Sequence, residues 1–221
     1  MARKSDLAPK KLPRQRRAIA TVQALADAAT YILAREGAGG FTANKVAEKA
    51  GVNIASFYQY FPNKEALLFY VVRLTWERQM ARLSPILDGP ARDPGARLRE
   101  FIREFFLIEA AEVELRRALR IASVDLRETD EFQMLISKGA DLFRTYIAGM
   151  VGDAGRPDLD FIVRFTVLLT TSFAERTTDD GTVGVELIQQ ADLLTDMLII
   201  QLGIAQAGDG LTSGRPASLP R

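Results

Sequence analysis

Residues Phe41–Leu68 read FTANKVAEKAGVNIASFYQYFPNKEALL, and their reading decides the fold. Thr42 is placed to cap a helix, because its hydroxyl accepts a free N–H of the opening turn. Phe41 before the cap and Val46 four residues after it fit a hydrophobic staple. Val46, Ala47 and Ala50 form an apolar face. Gly51 stands where a helix must stop, since glycine takes the left-handed conformation without a Cβ penalty. Val52 and Asn53 repeat the device, with Asn53 as cap and Val52 stapled to Phe57. The second helix is expected over Ile54–Phe61, with Phe57 and Phe61 four apart and facing inward. Its other face shows Ile54, Ala55, Ser56, Gln59 and Tyr60, with Tyr58 at the edge. Pro62 ends it and Asn63 caps the next helix.

Two short capped helices joined by a glycine turn fit the DNA-reading helix-turn-helix, whose second helix enters the major groove. A purely structural helical corner has the same local spacing. Two features favour DNA. The open face of the second helix is small, aromatic and polar instead of Glu/Lys-rich. Lys64 opens the third helix, where its ammonium and the free N–H groups would hold one phosphate.

Thr42, Val46, Ala47, Ala50-Gly51-Val52, Phe57-Tyr58, Tyr60-Phe61, Asn63-Lys64-Glu65 and Leu67-Leu68 resemble the signature of the TetR family of bacterial repressors. The resemblance spans Arg17–Leu68 and leaves the remaining two-thirds uncovered. It implies an all-α fold, with a three-helix DNA-binding head and a helical body that binds an effector and dimerises. It also implies roles by position. Thr42 contacts phosphate; Asn53 and Ile54 open the reading helix; Ala55, Ser56 and Gln59 approach base edges; Tyr58, Tyr60 and Lys64 hold phosphates. Backbone contacts of this kind fix register while base-edge contacts specify sequence. Gln59 suits adenine N6/N7, and Ile54 and Ala55 suit thymine methyls. Ile54 departs from the polar or basic residue many members carry there.

The composition limits the alternatives. The chain has 221 residues, 48% of them hydrophobic, enough for one sizeable or two small cores. It contains neither histidine nor cysteine, which excludes Ser-His-Asp and Cys-His catalysis and thiolate or imidazole zinc sites. No metal and no cofactor are expected. Glu109, Glu112 and Glu114 lack the histidines of a helical di-metal site and read as a solvated face. No apolar run approaches the roughly 20 residues needed to span a bilayer, so a cytoplasmic protein without a membrane partner is expected. The formal charge is +1, yet residues 1–64 carry 11 Lys/Arg against 4 Asp/Glu while residues 65–221 carry 18 against 24. A basic front on an acidic body suits a protein presenting one end to a polyanion.

The order along the chain comes from periodicity. Residues 1–17 hold seven basic residues and one acid and read as a flexible arm able to lie along DNA. Residues 18–63 form the head, with a scaffold helix over Ala18–Glu36. Residues 64–207 form the body, and 208–221 a disordered tail. Within the body, helices are expected from Lys64 to about Leu83, over Ala96–Ala111, from Glu112 to about Leu126, and over Glu131–Val151. Loops are expected at Asp88–Gly95 and Gly152–Pro157. The stretches 158–178 and 183–205 are apolar nearly all round and must be buried on every side. A partner subunit burying them in a four-helix bundle is the simplest solution, and the family's dimers are built this way.

The expected partners are therefore a pseudo-palindromic double-stranded operator, a second copy of the chain and a small hydrophobic effector that releases the repressor. Phe69, Arg73, Trp76, Phe105, Phe106, Tyr146, Phe161 and Phe165 are the candidate effector contacts, with Arg103, Arg164 and Glu175 as further charged ones. An apolar aromatic lining with few polar groups is what such a ligand needs. The competing expectation is a helical small-molecule-binding or enzymatic protein whose two-helix motif is only structural. The absence of a nucleophile motif counts against catalysis.

Overall fold

The computed structural model describes Leu7, Lys10 and residues 15–88, 93–151 and 158–203. Most of the expected arm, residues 89–92 and 152–157 of the two loops, and everything from 204 onward lie outside the described residues. The described residues are helical, with no strand among them. They form α1 (Arg16–Gly40), α2 (Ala43–Lys49), α3 (Ile54–Tyr60), α4 (Lys64–Asp88), α5 (Pro94–Ala111), α6 (Val113–Ala122), a 3-10 turn (Val124–Leu126), α7 (Asp130–Val151), α8 (Leu159–Asp179) and α9 (Gly184–Leu202). No helix among them is long and apolar enough to cross a membrane.

The side chains gather into two cores. The first holds Val22, Leu25, Ile32, Leu33, Phe41, Val46, Phe57, Phe61 and Leu67, and with them Leu115, Ala118 and Leu119 of α6. The second holds Leu83, Leu98, Ile102, Phe106, Ile147, Val163, Leu187 and Leu198. The division expected between residues 63 and 64 runs through the first cluster, which takes in the opening turns of α4. α6 stands between the cores. Its apolar stripe closes on the scaffold helix, while Arg116 and Arg120 reach Glu109, Gln79 and Asp179 on the body side.

Several boundaries differ from the periodic reading. α1 runs past Glu36 and breaks at Gly37, where φ is 70°. α4 continues through Pro85 to Asp88 because Leu83 and Leu87 are buried in the second core; packing outweighs the hydrogen bond that proline forfeits. α5 begins at Pro94, inside the expected loop, with the Asp93 carboxylate accepting from the Ala96 N–H at 2.8 Å.

Within one protomer α8 is not enclosed on every side. Val163, Thr166, Thr170, Ala174, Thr177 and Thr178 face inward, while Phe161 and Leu168 are 62% and 63% exposed and Phe165 is also exposed. α9 likewise buries Leu187, Leu194 and Leu198 and leaves Leu193, Met197 and Ile200 outside. Glu109 is also corrected: it is buried in the body and not part of a solvated face.

Candidate nucleic-acid interface and body

The head is assembled by its caps. Thr42 Oγ1 accepts the Lys45 N–H at 3.3 Å, and Phe41 and Val46 are both buried beside it. At the other end of α2, the Val52 N–H donates to the Ala47 carbonyl and the Gly51 N–H to the Glu48 carbonyl, both at 3.0 Å. This pair of bonds is a Schellman closure, and it requires the positive φ of 67° that Gly51 supplies. The chain therefore re-enters a helix at a fixed angle. Asn53 Oδ1 accepts the Ala55 N–H at 2.7 Å and starts α3. Asn63 Oδ1 repeats this on the Ala66 N–H at 2.7 Å and starts α4.

α3 is thereby set with a definite rotation. Phe57 and Phe61 are fully buried, their rings 6.0 Å apart, and Phe61 meets Tyr70 edge-on at 5.5 Å. The opposite side presents Ala55, Tyr58 and Gln59 as exposed residues, with Ile54 and Ser56 half-buried. Tyr58 is 46% exposed, and its ring leans edge-on against Phe57 at 5.2 Å. Thr42, Asn53 and Lys64 lie at the helix starts around it, Thr42 and Asn53 serving as caps. Tyr60 is the correction. It is 8% exposed and belongs to the head core, not to the open face. A helix of 3.6 residues per turn places residue 60 within 60° of residue 57, so its ring is drawn inward with Phe57.

One participant was missed by the sequence reading. The Lys10 N–H donates to the Tyr60 carbonyl at 2.9 Å and Lys10 Nζ donates to the Tyr58 carbonyl at 3.2 Å. Leu7 is buried in the head core. The only sequence signal was Leu7 itself, one of two leucines in the basic stretch, which composition discounts.

The candidate effector residues do not converge. Phe69 packs on the head core. Arg73 lies over the Tyr70 ring at 5.0 Å and 3.8 Å from Glu77. Trp76 lies on α4 beside Gly139 of α7. Phe105 and Phe106 are buried in the body core, Phe106 meeting Phe173 edge-on at 6.0 Å. Tyr146 donates its hydroxyl to the Pro94 carbonyl at 2.7 Å, and burial pushes its phenol up to about 12. Phe161 and Phe165 stack on each other at 5.9 Å on the outer face of α8. Of the further charged candidates, Arg103 is forked onto Asp192 at 2.6 Å, which raises the guanidinium and holds the carboxylate below its usual range. Arg164 is exposed, and Glu175 lies 3.8 Å from Arg120.

The interior polar groups lie elsewhere. Arg116 Nη1 donates to Glu109 Oε1 at 2.6 Å and to Gln79 Oε1 at 3.0 Å. Arg120 Nη2 is forked onto the Asp179 carboxylate at 2.9 Å, and Arg120 also lies 3.7 Å from Glu109. Burial pushes the Glu109 carboxyl up; Arg116 and Arg120 pull it the other way, and nearby Glu175 adds to the rise. Among the described residues, Thr170 Oγ1 is buried without a hydrogen-bond partner. No group of His, Cys, Asp or Glu among the described residues is arranged to hold a metal ion.

Comparison with known proteins agrees with this geometry. Residues 25–71 match the model of bacterial regulatory proteins of the tetR family. The fold resembles the fatty acid degradation regulator FadR from Bacillus halodurans, at 17% identity and a TM-score of 0.67, covering 89% of this chain and 100% of that one. It resembles SmeT, the repressor of the Stenotrophomonas maltophilia multidrug efflux pump SmeDEF, at 20% identity and a TM-score of 0.64, covering 91% and 100%. It also resembles FadR from Bacillus subtilis in complex with stearoyl-CoA, at 17% identity and a TM-score of 0.62, covering 80% and 97%. No curated protein matches the sequence.

Proposed function

We propose, for a chain that belongs through residues 25–71 to the tetR family of bacterial regulatory proteins, that it is a ligand-responsive DNA-binding repressor working as a homodimer in the cytoplasm and not as an enzyme. The observation carrying this reading is the rotation of α3: Phe57 and Phe61 are buried while Ala55, Tyr58 and Gln59 face out. In this role the exposed Gln59 and Ala55, with Ile54 and Ser56 beside them, meet base edges. Thr42, Asn53, Tyr58 and Lys64 hold the backbone, and Tyr60 supports α3 from within the head. The two copies of α3 read successive major grooves about 34–36 Å apart.

The second copy docks on α8 and α9, which leave Phe161, Phe165 and Leu168 and, respectively, Leu193, Met197 and Ile200 exposed. The effector enters the body among Phe105, Phe106 and their neighbours, with the unpartnered Thr170 hydroxyl as a polar handle. A long-chain acyl ligand, like the stearoyl-CoA in complex with FadR from Bacillus subtilis, is one such apolar molecule. Its binding selects a dimer whose reading helices no longer match the grooves. Reciprocally, operator binding weakens effector binding by the same factor.

A gel-shift against the DNA flanking the protein's own gene tests the reading. Sequence-selective binding at moderate salt is expected; indifference to sequence would favour a structural role for the two-helix motif. Lys64→Ala is expected to weaken binding to all duplexes alike and to flatten the dependence of log K on log salt by about one unit. A changed base preference instead would show that Lys64 is not a phosphate ligand.

A further inference from the structure

We propose that Leu7 and Lys10 brace the reading helix, Leu7 as an anchor and Lys10 as a positioning residue. The inference rests on the DNA-binding reading for its consequence, and on geometry alone for its structure. α3 has seven residues. A helix that short is not stable by itself, because nucleation is costly and few bonds repay it. Its N-terminal end is secured by Asn53. At its C-terminal end the Phe61 N–H closes on the Phe57 carbonyl at 2.9 Å, which leaves later carbonyls facing outward from the last turn.

Lys10 supplies what is missing. Its backbone N–H satisfies the Tyr60 carbonyl and its ammonium satisfies the Tyr58 carbonyl. The positive charge also sits at the negative end of the helix dipole, where a cation is favoured. Leu7, 1% exposed, is inserted in the same cluster as Phe57, Phe61 and Val46. Leu7 is thus anchored in the core, and Lys10 grips the helix end. Both carbonyls belong to the turn that carries Tyr58 and Gln59 outward. Rotation or fraying of α3 would break both bonds, so Lys10 sets the pitch at which those side chains meet a groove. The basic composition of this stretch invites the view that Lys10 is a phosphate contact; its ammonium is instead engaged with protein.

The test uses the full-length chain and its Lys10→Ala, Lys10→Gln and Leu7→Ala variants. Each is titrated on a duplex from the DNA flanking its own gene and on a scrambled duplex of equal length. Hydrogen exchange at the Phe57–Phe61 amides is followed without DNA. Lys10→Ala is expected to lose about fivefold of the preference for the flanking duplex, the scale of a helix-end charge contact, with an unchanged salt slope. The amides should exchange faster in Lys10→Ala and Leu7→Ala, and Lys10→Gln should recover part of both effects, since its amide still donates to the Tyr58 carbonyl. Equal weakening on both duplexes with a slope reduced by about one unit would make Lys10 a phosphate ligand and overturn the proposal. Unchanged exchange in both alanine variants would overturn it as well. If the wild-type chain shows no preference between the duplexes, the DNA-binding reading fails, and the exchange rates alone decide whether the brace exists.

Discussion

Replacing Arg116 by alanine is expected to cost about 3 kcal/mol of stability, the lower end of the range for removing one partner of a buried ion pair. Arg116 and Glu109 are 10% and 6% exposed at their side chains and 2.6 Å apart. Without Arg116, the Glu109 carboxylate is left buried with only the more distant Arg120, 3.7 Å away, as counter-charge. For a chain of this size the loss corresponds to a fall of roughly 6–12 °C in melting temperature, measurable by circular dichroism. The double replacement Arg116→Met with Glu109→Leu should lose much less than the two single replacements together, since apolar side chains of similar volume avoid the desolvation cost. An additive cycle would show that the pair is not coupled.

The same pair gives a pH dependence of definite sign. The folded-state value of Glu109 lies above its ordinary 4.5, burial being the largest cause. Between those two values the folded chain holds this proton more often than the unfolded chain does. Stability therefore falls as pH rises through that window, and is constant above it. In Glu109→Gln this slope should be absent. A denaturant titration series across the acid range reads it directly; an unchanged slope in the variant would assign the dependence to other carboxylates.

The second large effect is expected at the outer face of α8 and α9. Leu168→Glu combined with Met197→Glu should give a folded monomer by sedimentation, with helicity retained because both side chains are already exposed. Operator affinity should fall by a factor on the order of 100 to 10,000, since two linked half-site contacts become one. Continued dimerisation would mean that the copies meet elsewhere.

How much of this was visible beforehand depends on the range of the interactions. The head was legible because its rules are local. Thr42, Gly51, Asn53 and Asn63 each act on backbone groups within five residues, so their spacing alone placed α2, α3 and the start of α4. The orientation of α8 was not legible. Its length and apolar character were plain, but hydropathy put phenylalanine inside and gave threonine no preference. The structure turns Phe161 and Phe165 outward and several threonines inward, and local bonding explains Thr178 of α8 and Thr195 of α9. Thr178 Oγ1 donates to the Ala174 carbonyl at 2.9 Å and Thr195 Oγ1 to the Ala191 carbonyl at 2.8 Å. A hydroxyl satisfied within its own helix packs like a small apolar group, which frees the large rings for the outside. Tyr60, by contrast, was within reach of the helical period, which sets it beside Phe57. Leu7 was misjudged because its burial depends on contacts with segments distant in sequence, which periodicity within one helix does not register. The scatter of the aromatic candidates over head, body and outer face has the same origin.

The placement of α6 bears on attempts to build hybrid sensors. Leu115, Ala118 and Leu119 complete the interior of the head, although they lie far along the chain from the reading helix. Grafting residues 1–63 onto the body of another regulator would transplant the operator specificity but strip that interior of one wall. A workable hybrid would carry the 113–122 segment along with the graft, or re-match the scaffold helix to the recipient's own version of it. Splicing at the sequence motif alone should yield insoluble protein.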